Sequence, residues 1–127
     1  MLLYSLIVIL IILAAIFKAV MDKLQFHFEK SIFLTLGKWW NPAQSWELKW
    51  KNGDVRQGER FWLSSTVLAW TTDAWHFFQM LFLSCWQLAI AIGLTREVIA
   101  TTICFFALKI LFSLTFEVAF SKAFSKR

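Results

Sequence analysis

The stretch Leu2 to Val20, LLYSLIVILIILAAIFKAV, carries a single charge, Lys18. About 20 apolar residues at helical rise cross the hydrocarbon core of a bilayer, so this run is long enough. Two more follow: HFFQMLFLSCWQLAIAIGL (His76 to Leu94) and VIATTICFFALKILFSLTFEVAF (Val98 to Phe120). Hydrocarbon offers no hydrogen bonds, so each segment must satisfy its own backbone as a helix. The expected fold class is therefore all-α, an integral membrane protein with three transmembrane helices. Only four Gly and one Pro stand against fourteen Phe and eight Trp, which favours long helices with few breaks. At 127 residues the chain makes one domain at most. A cleaved signal peptide would need a basic start and a small-residue cleavage site. AAIFKAV is a poor one, so an uncleaved anchor is expected.

Direction follows from the basic residues. Between Asp22 and Thr72 lie Lys23, Lys30, Lys38, Lys49, Lys51, Arg56 and Arg60, and the tail adds Lys122, Lys126 and Arg127. The connection between the second and third spans holds only Arg96. Basic residues mark the cytoplasmic side, which predicts an N-out, C-in arrangement in the membrane. The formal charge of +5 raises nucleic acid as a partner. In so apolar a chain the membrane reading is preferred, and no basic-aromatic nucleic-acid motif is visible, so no nucleic acid is expected. Cys85 and Cys104 have neither C-x-x-C nor metal spacing and read as small apolar fillers.

Seven of the eight Trp fall in the middle of the chain: Trp39, Trp40, Trp46, Trp50, Trp62, Trp70 and Trp75. Indole suits the headgroup layer, where an apolar ring and a polar N–H are both accommodated. The segment is expected to lie at the membrane interface rather than fold as a separate soluble unit. Leu24, Phe28, Ile32 and Leu36 recur at helical spacing, so the first helix, crossing at about 2–21, is predicted to extend to about 36 and stop at Gly37. An interfacial loop spans about 37–63. Within it Asn41 and Pro42 open a predicted short helix, with Trp46 and Trp50 on one face and Glu47 paired to Lys51 on another. KNGD, Lys51 to Asp54, signals a turn. Without Gly or Pro between Ser64 and Ile92, the second helix is predicted over about 64–94, its membrane part 75–94. Gly93 suits its end, and Thr95 is placed as the cap of a third helix over about 97–120. A basic tail, 121–127, completes the chain.

Polar residues inside these helices are the candidate site. Thr66, Ala69, Asp73, His76, Met80, Ser84, Gln87 and Ala91 step by three or four along the second helix. The third carries Thr102, Lys109, Ser113 and Glu117. Lipid cannot satisfy polar groups, so both stripes should turn toward other helices. Antiparallel pairing would bring Glu117 level with Asp73 and His76, and Asp22 and His27 should reach the same depth. Asp22, His27, Asp73, His76 and Glu117 are therefore candidate ligands for a divalent metal, with Asp73 or Glu117 as a catalytic base. D-x-x-H alone is a weak metal signal, and a packing network at a helix end is the preferred reading, with the metal or acid–base site as the alternative. Lys109 sits near mid-bilayer, where a lysine costs about 3 kcal/mol or more without a partner. Ser84 or Gln87 within the chain, or a carboxylate of a second subunit, would answer it.

The pieces MDKLQFHFEKSIF, NPAQSWELKWKNGD and STVLAWTTDAWHFFQ resemble a group of small bacterial integral membrane proteins with no known activity. The shared elements stand here as Asp22 with His27, Trp40 to Pro42, Ser45 with Trp46, and Thr72 to His76. The resemblance spans most of the chain and implies no reaction.

Three functions compete. The first is a non-enzymatic accessory or scaffold protein whose aromatic cytoplasmic face binds lipid or a membrane partner, with homo-oligomerisation open. The second is a membrane-embedded metal-dependent hydrolase acting on a lipid-type substrate through the Asp/His/Glu cluster. The third is a holin-like pore former, from which the long aromatic loop departs. No G-x-S-x-G, Cys–His pair or phosphate-cradling glycine loop is present.

Overall fold

A computed structural model describes residues 2–118, so the final two residues of the expected third span and the basic tail lie outside it. Three α-helices account for most of it: α1 (Leu2–Phe26), α2 (Ala74–Thr95) and α3 (Val98–Val118). Each is long and apolar enough to cross a membrane. The chain clusters into two compact units, one of Met1–Ile12 with Ser84–Arg127 and the other of Leu13–Leu83.

In the second unit α1 ends ten residues before the predicted limit. His27 leaves helical geometry (φ −140°, ψ 27°), and short 3-10 turns follow at Phe28–Lys30 and Ile32–Thr35. Ser31 separates them. Its backbone is extended, its hydroxyl donates to the Phe28 carbonyl at 2.7 Å, and its oxygen accepts from the Phe33 amide at 3.2 Å. A serine that bonds its own backbone in this way competes with the helix ladder, which apolar spacing does not register. Gly37, the predicted stop, therefore ends no α-helix: it follows the second 3-10 turn with a positive φ of 105°.

The predicted helix after Asn41 is instead an Asx turn and a 3-10 segment, Ser45–Lys49. Glu47 pairs with Lys38 at 2.5 Å rather than with Lys51. The KNGD turn is present, Asn52 and Gly53 both adopting positive φ (51° and 73°), and it closes a bridge between Trp50 and Glu59. Glu59 then pins the next bend. Its carboxylate accepts from the backbone amides of Leu63 and Ser65, both at 3.2 Å, and from the Ser65 hydroxyl. These bonds hold its pKa below the ordinary carboxylate range. The Ser65 hydroxyl contributes most, burial acts in the opposite direction, and the two amides add to the lowering.

The second helix starts at Ala74, not near Ser64. Leu63 has a left-handed φ of 59°, and the Ser64 hydroxyl turns away to the Lys49 carbonyl at 2.7 Å. Thr71 and Thr72 each bond a carbonyl three residues back at 2.7 Å, fitting a 3-10 turn (Ala69–Thr71) rather than an α-helix. Thr66 and Ala69 of the proposed polar stripe therefore precede α2.

Seven aromatic rings tie this unit together. Phe17 of α1 meets Phe78 of α2 at 5.7 Å, and Phe78 meets Trp40, which stacks on Phe33 at 4.8 Å. Trp39 packs on Trp40 and Phe77, and Phe77 packs on Trp70. Such pairs contribute about 0.5–1.5 kcal/mol each beyond burial. Trp39 also donates its indole N–H to the Thr71 carbonyl and accepts from the Ala74 amide, both at 2.9 Å. The Trp-rich segment is thereby bonded directly to the start of α2.

In the other unit α2 and α3 form the expected hairpin. Its turn falls at Arg96, inside the expected connection and in the left-handed region (φ 59°), while α2 runs past Gly93 to Thr95. The Thr95 hydroxyl bonds the Ala91 carbonyl at 2.9 Å and the Thr101 hydroxyl at 2.6 Å, tying the helices together instead of capping α3.

Candidate functional site

Asp73 is the N-cap of α2. Its Oδ1 accepts the backbone N–H of His76 at 2.8 Å, the bond by which a cap residue satisfies a free amide of the first helical turn. The side chain of His76 reaches back, its Nδ1 lying 2.7 Å from Oδ2 and 2.9 Å from Oδ1. One half of a capping box is present, the bond from cap oxygen to N3 amide, while the reciprocal bond to the cap's backbone N–H is replaced by an imidazole–carboxylate contact. The carboxylate is buried and the imidazole half exposed. With Nδ1 on the carboxylate, Nε2 is the nitrogen left to face other groups.

The pair lines a cavity of about 340 Å³ together with Gln25, Ser45, Trp46 and Lys49, among others. Ser45 is only 6% exposed, and its hydroxyl makes no hydrogen bond among the described residues. Trp75 also lines the cavity, and its indole N–H is buried with no hydrogen-bond partner. The Trp75 ring meets His76 edge-on at 5.0 Å.

The remaining proposed ligands do not add to this pair. Asp22 forms an ion pair with Lys18 one turn earlier on α1. His27 is exposed where α1 ends, and Glu117 is exposed on α3 in the other unit. Among the described residues no three of His, Cys, Asp or Glu lie together as a metal site requires. The expected convergence of five residues presumed one helical stripe running back to residue 64, whereas Asp73 is committed to ending the loop and starting the helix.

Lys109 is answered within its own unit. Its ammonium donates to the Ser84 hydroxyl at 2.9 Å and lies 5.2 Å from the Phe105 ring centroid. Gln87, the other expected partner, is buried in α2 with its Oε1 atom unpartnered. No residue of α3 is buried.

Of the tryptophans expected at the interface, Trp39, Trp40 and Trp70 belong to the aromatic cluster, and Trp50 sits at the bridge to Glu59. Trp46 and Trp62 are exposed, at 49% and 79%. The cavity beside Asp73 was not legible in the sequence, because Ser45 and Lys49 reach it from a segment some 25 residues earlier. The usable signal was local: an Asp immediately before an apolar helix, with a hydrogen-bonding residue three positions on. Comparison with protein-family models, curated proteins and solved structures returns no match.

Proposed function

We propose that this chain is a non-enzymatic accessory or scaffold protein of the bacterial cytoplasmic membrane, N-out and C-in, akin to the small bacterial membrane proteins its motifs resemble. Its Trp-rich middle segment faces the cytoplasm and holds lipid or a membrane partner at the leaflet surface. The observation that carries this reading is the use made of the chain's polar and aromatic groups. The Asp73–His76 pair caps a helix, seven rings fasten the segment to α1 and α2, and Trp46 and Trp62 are left exposed beside them. Exposed indoles on a rigid aromatic base suit a headgroup layer or a protein surface.

The test has two arms. In a background with Cys85 and Cys104 replaced by Ala, an impermeant maleimide applied to intact cells should label Glu97→Cys and spare Asn52→Cys. The opposite pattern overturns the orientation. On native gels the assembly captured by in-cell cross-linking should be lost in the Trp46→Ala/Trp62→Ala variant and kept in Asp73→Asn and His76→Gln. Stoichiometric metal in purified protein, with lipid hydrolysis abolished by His76→Ala, would favour the hydrolase instead.

A further inference from the structure

We propose that the cavity beside Asp73 and His76 binds a phosphate group, presented by a phospholipid headgroup or as a free anion. The inference deepens the reading above and rests on it. Its lining is rich in donors and poor in free acceptors. Lys49 brings an ammonium that forms no ion pair among the described residues. Ser45, a buried residue, brings a hydroxyl that makes no hydrogen bond among the described residues, and Gln25 brings an amide. Trp75, also in the lining, has an indole N–H that is buried with no acceptor among the described residues, a state that costs free energy until a partner is found.

The one carboxylate present does not oppose an anion as a bare charge would. Both oxygens of Asp73 are engaged by His76, and the carboxylate sits at the positive end of the α2 dipole. A cation is the poorer occupant, since Lys49 would repel it and only His76 Nε2 remains as an uncommitted ligand nitrogen. Phosphate matches this inventory because its oxygens accept several donors at once and take Lys as a point charge.

Position favours the lipid source. Gln25 stands in the last turn of α1, and Trp75 and His76 stand in the first turn of α2. Both turns are ends of helices long enough to span a membrane, the level at which headgroup phosphates lie. Trp46 supplies an apolar wall where the glycerol backbone would run.

Native mass spectrometry of the full chain in a neutral detergent tests this. The titrants are dioleoylphosphatidylglycerol, dioleoylglycerol (the same acyl chains without phosphate) and inorganic phosphate. Phosphatidylglycerol should bind and dioleoylglycerol should not. Lys49→Gln should weaken phosphatidylglycerol about ten-fold, the scale of one charge-assisted hydrogen bond, and Lys49→Arg should restore most of it. Trp75→Phe, which removes the N–H and keeps an aromatic ring, should weaken it about three-fold or more. Lys51→Gln, an exposed lysine outside the lining, should change it less than about two-fold. Competition by millimolar inorganic phosphate identifies the free anion as a ligand, and its absence identifies the headgroup. Equal binding of dioleoylglycerol overturns the site, as does a Lys49→Gln effect no larger than that of Lys51→Gln. Thermal unfolding of each variant separates lost binding from lost fold, and Trp75→Phe keeps the test open if Lys49→Gln unfolds. Failure here with the labelling pattern intact removes the phosphate site and leaves the membrane reading standing.

Discussion

Replacing Asp73 by Ala removes three contacts in one step: the acceptor for the His76 amide at 2.8 Å and both carboxylate contacts to the imidazole. Loss of an N-cap costs about 0.5–2 kcal/mol. The upper end applies here, because Asp73 is only 6% exposed and water cannot easily replace it. Replacing Asp73 by Asn keeps an oxygen at the same place, and Asn caps helices about as well as Asp. Only the charge on the imidazole contact and the favourable dipole interaction are lost, together less than about 1 kcal/mol. Hydrogen–deuterium exchange of the protein in nanodiscs, read on peptides covering residues 71–80, measures both. At about 1.4 kcal/mol per factor of ten, the Ala variant should exchange roughly thirty-fold faster in the first turn of α2 and the Asn variant within about five-fold of the parent. If Ala and Asn behave alike and neither loosens the turn, the carboxylate does not serve the helix, and the pair must be read as chemistry.

The Ser84–Lys109 contact should show a coupling of about 1–3 kcal/mol in a double-mutant cycle of Ser84→Ala and Lys109→Met, followed by unfolding in detergent. A coupling near zero, with loss of assembly in Lys109→Met, would instead assign Lys109 to a second subunit. Glu59 gives a pH signature. Its folded pKa lies below its unfolded one, so its contribution is full above the ordinary glutamate pKa of about 4.3 and is lost as pH falls below that through the lowered folded value. Exchange over residues 61–66 should rise through that window, and Glu59→Gln should remove the dependence. Trp39→Phe keeps an aromatic ring but takes away the donor to the Thr71 carbonyl. It should cost about 1 kcal/mol and speed exchange at residues 71–74 more than at Phe33.

The spans were readable because hydrocarbon imposes one requirement along twenty residues, and no local detail competes with it. Where helices begin and end is decided differently. Apolar spacing carried α1 on to residue 36 and started α2 at 64, since neither stretch contains an internal Gly or Pro. The structure stops both at polar side chains. Ser31, Ser64, Thr71 and Thr72 offer the backbone, or a neighbouring loop, hydrogen bonds that compete with the α-helical ladder. The cost of breaking a helix there is met by the aromatic cluster, which contributes only once Trp39, Trp40 and Phe77 meet in space. Asp73 and His76 show the same division. Their i, i+3 spacing correctly placed them together, but their task depended on the helix starting between them rather than ten residues earlier. The acid in TTDAWHFF thus stands at the point where a chain bonded to its own side chains becomes a chain bonded to its own backbone. Any ligand in the adjoining cavity meets the residue that makes this switch, so occupancy of the cavity and order in the first turn of α2 should rise together.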